Sequence, residues 1–139
     1  MSVNWVSLIP SLVFTRVKTN FSQTIKDKYS MSGTNFSTVG SSDTPAVFPF
    51  VYIMTMDAQE RGQDLEGTSI NGGLFSFQIE VTDNKKQQNA KEVIWEVIRI
   101  FKSMGFELVG FPTYQDSKDT HRAIARVRRV IDEKDYCNV

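Results

Sequence analysis

The sequence predicts an α+β fold, a mixed or antiparallel β-sheet packed on one face by two α-helices, with a long β-hairpin loop. The first observation is strict alternation of apolar and polar residues from Phe75 to Thr82, the pattern of a strand with one buried face. The second is a helical period of apolar residues between Ala90 and Met104. The third is the order of segments, which reads helix, short extended segment, two strands, helix and two strands, with no internal repeat.

Length and charge set the outer limits of the interpretation. A chain of 139 residues has the length of one domain and can bury roughly 68% of its unfolded surface. We therefore expect a single domain over residues 1–139, with a flexible tail over 132–139. Because 16 basic and 16 acidic side chains cancel, net charge predicts no attraction to nucleic acid or to an anionic membrane.

Three further features bear on the compartment. No apolar run approaches the roughly 20 residues that cross a bilayer, and the segment Met1 to Phe14 lacks the basic start of a signal peptide. The single cysteine, Cys137, cannot form an internal disulfide and is expected to be a free structural thiol. We therefore expect a soluble protein that is made in the cytoplasm.

The N-terminal region predicts one amphipathic helix. Pro10 suits the first turn of a helix, and apolar residues then recur at every fourth position over Val13–Tyr29. Residues 30–45 are rich in Ser, Thr and Gly, as in a linker, but Phe36 and Val39 indicate a short edge strand there.

The middle of the chain predicts two strands, a loop and a helix. Residues 47–56 are apolar on both faces and predict a strand buried on both sides. The segment Asp57–Gly73 is long for a loop between adjacent strands, so we expect it to contact a partner. After the alternating strand, Asp83 or Asn84 is expected to cap the second helix, and Gly105 is expected to end it in a left-handed conformation.

The C-terminal region predicts two strands joined by a turn. Residues 106–111 are expected to form a strand that Pro112 stops, and residues 115–119 are polar enough for a hairpin turn. The last strand covers Thr120–Ile131. Its alternation assigns Arg122, Ile124, Arg126, Arg128 and Val130 to one face and His121, Ala123, Ala125, Val127 and Arg129 to the other.

Catalytic chemistry finds little support in the sequence. The acidic residues Asp57, Glu60, Asp64 and Glu66 could hold a metal or act as acid and base, but they share a glycine-rich loop and lack a second kind of ligand. His121 has no adjacent nucleophile, and no phosphate-binding glycine motif occurs. We therefore predict no catalytic residue, no metal and no cofactor.

The densest charge cluster is the group of arginines on the last strand. Nucleic-acid binding is one interpretation, but the balanced net charge and the absence of a binding motif favour pairing with carboxylates inside the chain or across an interface. The residues that we predict to lie at a subunit or partner interface are Asp57, Glu60, Asp64, Glu66, Gln78, Glu80, Arg122, Arg126 and Arg128.

One stretch of sequence resembles a known family. The run Gly62-Gln63-Asp64-Leu65-Glu66-Gly67, then Asn71-Gly72 and the segment Phe77–Asn84, followed by a helix and an arginine-rich strand, is similar to the tail-terminator (tail-completion) proteins of long-tailed bacteriophages of Gram-positive hosts. The similarity covers most of the chain, from about Val13 to Asp132. Head-to-tail joining proteins share the same α+β plan.

The resemblance implies a non-enzymatic virion protein. It implies a ring, commonly of six copies, that caps the tail tube at its head-proximal end and docks to the head. The implied partners are further copies of the chain, the tail tube protein and the connector or stopper protein of the head, with genomic DNA passing through the lumen without sequence-specific binding and with no membrane. A head-completion or stopper protein is the alternative within this class, and a nucleic-acid-binding or nuclease-like protein is the alternative outside it.

Overall fold

The computed structural model describes residues 4–38, 47–56, 59–61, 72–132 and 134. Within these ranges the helices are α1 (Asn4–Asn20), α2 (Gln23–Tyr29) and α3 (Gln87–Ser103), with one 3₁₀ turn at Gly33–Asn35. The strands are β1 (Phe36–Ser37), β2 (Phe50–Thr55), β3 (Gln59–Arg61), β4 (Gly72–Asp83), β5 (Glu107–Leu108), β6 (Thr113–Asp116) and β7 (His121–Asp132). In the described part of the chain, no helix is both long and apolar enough to cross a membrane.

The strands form one mixed sheet. Its order is β1-β2-β4-β7-β5, with β3 also paired to β4 and β6 also paired to β7. The β1–β2 pair is parallel and the others are antiparallel. Because β7 occupies one edge of β4 along its whole length, β2 and β3 follow each other along the opposite edge.

The helices α1 and α3 cover one face of this sheet. Trp5 of α1 lies edge-on to Phe75 of β4, with ring centroids 6.1 Å apart. From α3 and its end, Phe101 and Phe106 contact Phe77 at 5.8 and 5.7 Å. The α+β prediction, with a mixed sheet packed on one face by two helices, is therefore confirmed.

The prediction of one N-terminal helix is wrong in its bounds. The helix begins at Asn4, so that Pro10 lies inside α1, and the helical region is broken at Phe21 and Ser22. At the break Ser22 caps α2, its side chain accepting the Ile25 N–H at 3.4 Å, and its backbone N–H donates to the Glu96 carboxylate of α3 at 3.0 Å. The four-residue spacing of apolar residues continues across the break, so this sequence pattern does not reveal it.

The strand expected over residues 47–56 is shorter and less buried than predicted. In β2, Val51 and Ile53 are buried, whereas Tyr52 and Met54 are only half-buried, because no described element packs on their side of the sheet. The short edge strand expected near Phe36 is present as β1. Val39 lies outside the described residues.

The bounds of α3 are partly as predicted. Its N-cap is Lys86 and not Asp83 or Asn84, because the Asp83 carboxylate accepts the backbone N–H groups of Lys85 and Lys86 and so closes the preceding turn. Gly105 has φ +87° and follows the helix end as expected. The N–H of Phe106 donates to the carbonyl of Phe101 and that of Gly105 to Lys102, which is a Schellman motif.

The C-terminal strands are more broken than predicted. The strand expected over 106–111 is reduced to β5, because Gly110 adopts φ +72° and turns the chain before Pro112. Strand β6 includes part of the expected 115–119 turn, and the turn itself closes where the N–H of Ser117 donates to the carbonyl of Thr120.

Two other predicted loops differ from the observed structure. The segment expected to be one long loop over residues 57–73 contains strand β3, paired with β4, while residues 62–71 lie outside the described part. The predicted tail also starts too early, because Asp132 is the last residue of β7. Apart from Lys134, the rest of that tail is outside the described residues.

Candidate functional site

The face of the sheet opposite α1 and α3 is the candidate site. Side chains alternate along each strand, so the residues between the buried positions of β4 and β7 point to this side. None of the described helices covers it. We call this surface the open face, and its central side chains are Tyr52, Met54, Ser76, Gln78, Glu80, Thr82, Arg122, Ile124, Arg126, Arg128 and Val130.

A hydrogen-bonded row crosses the centre of the open face. Gln78 lies directly opposite Arg126 in the β4–β7 register, and Arg126 Nε donates to Gln78 Oε1 at 3.0 Å. The amide of Gln78 then donates from Nε2 to Glu80 Oε2 at 2.8 Å. Arg122 Nη1 approaches the other oxygen of Glu80 at 4.0 Å. The single Glu80 carboxylate therefore serves both Gln78 and Arg122.

The remaining arginines of β7 are bound elsewhere. Arg128 Nε donates to Glu107 Oε1 of β5 at 2.7 Å, and both side chains are largely solvent-exposed. Arg129 points to the other side of the sheet, where its Nη1 donates to the carbonyl of Met104 at 2.8 Å. The two consecutive arginines therefore have different roles, since Arg129 supports the end of α3 and Arg128 stays on the open face.

A shallow pocket opens beside Arg126. Its volume is about 380 Å³, and apolar, amide and hydroxyl groups surround one guanidinium. Phe111 stands at its rim with 84% of its surface exposed, because the bend at Gly110 interrupts the edge of the sheet between β5 and β6. The lining residues are Gln78, Val109, Phe111, Thr113, Gln115, Ile124, Ala125 and Arg126.

The structure brings together only part of the predicted interface set. Gln78, Glu80, Arg122, Arg126 and Arg128 share the open face, as the alternation predicts. Glu60 lies in β3, paired with Gly73, and its side chain is not described. Asp57, Asp64 and Glu66 lie outside the described residues. Within the described part, the partners of Arg126 and Arg128 are Gln78 and Glu107.

Sequence reasoning missed the edge of the site formed by β5 and β6. Glu107, Val109 and Phe111 were assigned to a regular strand, although they supply an ion pair and the exposed apolar wall of the pocket. The available signal was the run Gly110-Phe111-Pro112, in which glycine and proline flank an aromatic residue. Such flanking residues indicate a bend that ends a regular strand.

The other polar clusters connect elements of the domain. Glu92 of α3 accepts hydrogen bonds from Tyr29 Oη and, at 2.9 Å, from Lys28 Nζ, and these contacts hold its pKa below the ordinary value. At the β6–β7 turn, the hydrogen bond with His121 lowers the pKa of Asp116. Among the described residues there is no group of three or more His, Cys, Asp and Glu side chains that could hold a metal ion.

The described chain is an α+β domain in which helices cover one sheet face, while the other face is open and carries hydrogen-bonded and ion-paired side chains. No family model matches the chain, and no curated protein matches it. The interpretation of function therefore depends on this geometry and on the sequence motifs.

Proposed function

We propose that this protein is a structural virion protein that forms a ring, ends polymerisation of a bacteriophage tail tube and joins the tail to the head. The observation that carries the proposal is the difference between the two sides of the domain. One sheet face is buried under α1 and α3, and the other presents charged and apolar groups to solvent. The motifs that resemble tail-terminator proteins lie in the β3–β4 connection, in β4 itself and in β7.

The function follows from how a tube grows. A tail tube elongates because each added ring exposes another copy of the same acceptor surface. Growth ends when a subunit binds that surface on one side and presents a different surface on the other. A domain with a helical layer on one side and an open sheet face on the other supports that role.

A closed ring makes a second demand on the subunit. Head-to-tail contacts close into a ring only if each copy presents two different and complementary patches. The open face supplies one polar patch with arginines. The connection between β3 and β4 carries the carboxylates that would supply the other, and the partners beyond the ring would be the tail tube protein and the head connector.

Electron micrographs of a lysate that lacks this protein test the proposal. We expect separate heads and tubes, with tubes of uncontrolled length and no joined particles. Tubes of normal length already attached to heads would exclude the terminator role. Normal-length tubes that fail to join heads would instead favour a stopper protein on the head side.

A further inference from the structure

The pocket beside Arg126 has the chemistry of a carboxylate-binding site. We infer that it receives the acidic segment Asp64-Leu65-Glu66 of a second copy of this chain. This inference rests on the proposed ring and names the two surfaces that would meet in it. The partner residues come from the connection between β3 and β4.

Arg126 differs from the other two arginines of the open face in what it binds. Arg128 is already paired with Glu107 at 2.7 Å, and Arg122 lies 4.0 Å from Glu80. Among the described residues, the side-chain acceptor of Arg126 is the neutral amide of Gln78. Its guanidinium therefore keeps donors and a full positive charge for an incoming anion.

The pocket around Arg126 also selects the kind of anion. Val109, Phe111 and Ile124 form apolar walls, while Thr113 and Gln115 add polar side chains. A small inorganic anion would leave those apolar walls in water. A carboxylate next to an apolar side chain would pair with the guanidinium and also cover the walls, and such a pair is stronger when water is excluded.

The segment Asp64-Leu65-Glu66 has this composition, with a leucine between two carboxylates. It is held at its base by the pairing of Arg61 with Gly72, and Gln78 lies six residues further along β4. Six strand residues extend about 20 Å. Asp64 is three residues from Arg61, so its main chain stays within roughly 10 Å of that base, and that of Glu66 within roughly 17 Å. The main chain of Asp64 therefore stays about 10 Å short of the level of Gln78 in the same chain, whereas a second copy has no such restriction. For Glu66 the difference is only about 3 Å, which its side chain can span, so the mixing experiment distinguishes a contact within one chain from a contact between copies.

Charge reversal and mixing test the inference in the full-length protein. One variant carries Arg126→Glu, and the other carries Asp64→Arg together with Glu66→Arg. Sedimentation equilibrium at low ionic strength should show self-association of the wild-type chain and association weakened roughly tenfold or more in each variant alone. An equal mixture of the two variants should recover wild-type association, because each interface in an alternating assembly again joins opposite charges.

Arg16→Glu is the matched control, because Arg16 is an exposed arginine of α1 on the opposite side of the domain. It should associate like the wild type. The inference is overturned if Arg126→Glu associates as strongly as this control, if the mixture is no better than its separate components, or if the wild-type chain stays monomeric. The lysate experiment measures tube length and the joining of heads to tubes, whereas sedimentation measures self-association. A wrong pocket assignment and a wrong terminator role would therefore give different results.

Discussion

Gly105 shows at the scale of one residue how the end of α3 is fixed. Its φ of +87° lies in the left-handed region, and a Cβ added there would stand 3.2 Å from Arg129 Nε. Arg129 cannot move away freely, because its guanidinium donates to the Met104 carbonyl. The backbone and its surroundings therefore both disfavour a side chain at this position.

We expect Gly105→Ala to lower the free energy of unfolding by more than Gly110→Ala. Gly110 has φ +72° but nothing within 4 Å of an added Cβ, so its substitution should cost only the left-handed conformation, about 1–2 kcal/mol. Gly105→Ala should add the cost of displacing Arg129. Urea denaturation of both variants measures the difference, and equal losses would show that Arg129 adds nothing.

The pH dependence of stability should report the Glu92 contacts. Hydrogen bonds from Tyr29 and Lys28 hold the folded-state pKa of Glu92 below its ordinary value of 4.5. A depressed pKa stabilises the folded state at pH values above the unfolded pKa, and the contribution is lost as pH falls through the folded pKa. The wild type should therefore exceed Glu92→Gln in stability near neutral pH, and the excess should shrink below about pH 4. A difference that stays constant down to about pH 3 would contradict this account.

The sequence predicts on which face each arginine of β7 lies, but it does not predict the hydrogen-bond partners of these arginines. The alternation along β7 correctly separates Arg126 and Arg128 from Arg129, because the two-residue period is a local property of a strand. The partner of Arg128 is Glu107, which is 21 residues away in sequence. That pair depends on β5 reaching the edge of β7, which no local pattern encodes.

At the scale of elements, the junction of α1 and α2 depends on one buried carboxylate. Glu96 is 8% exposed and accepts the Ser22 N–H at 3.0 Å together with two N–H groups of Arg99 at 2.8 and 2.6 Å. The Glu96–Arg99 pair lies on one helix, although Arg99 Nη2 also donates to the Asn20 carbonyl of α1 at 3.4 Å. The Ser22 contact joins α3 to the start of α2. The helix break is therefore stabilised by packing against α3 as well as by the local Ser22 cap of α2.

We expect Glu96→Ala to lower the free energy of unfolding by about 1–3 kcal/mol, because the Ser22 N–H loses its acceptor. Glu96→Gln should cost less, since its amide oxygen can still accept that N–H. Arg99→Ala is the control that removes the pair on α3 and the 3.4 Å contact with the Asn20 carbonyl but keeps the Ser22 contact. Equal losses for the Ala and Gln variants in chemical denaturation would show that the Ser22 contact contributes little.

Elements with a complete local pattern were predicted well. The buried residues of α3, β4 and β7 could be predicted because each element packs on one face. That packing gives its sequence a helical or alternating period. Where the sequence misled, a distant contact or a bend decided the outcome. Glu96 accepts the Ser22 N–H where the N-terminal helix breaks, and the bend at Gly110 shortens the expected strand over residues 106–111 to β5.

At the scale of the whole molecule, the element order predicted the fold class but not the strand order. Strand β7 enters the sheet between β4 and β5, and this arrangement places the arginines beside Gln78 and Glu80. The period of a strand predicts the face on which a residue lies. It does not predict which residues of other strands lie beside it on that face. The pocket beside Arg126 forms where this strand order and the bend at Gly110 place residues 109–115 beside β7.

A reconstruction of the head-proximal end of the assembled tail would show the proposed ring itself. We expect a closed ring of copies of this chain, commonly six, between the last ring of the tube and the head connector. Each copy should contact its neighbour through two different surfaces, one of them the open face. A single asymmetric copy at that position, or a tail end that lacks the chain, would rule out the ring.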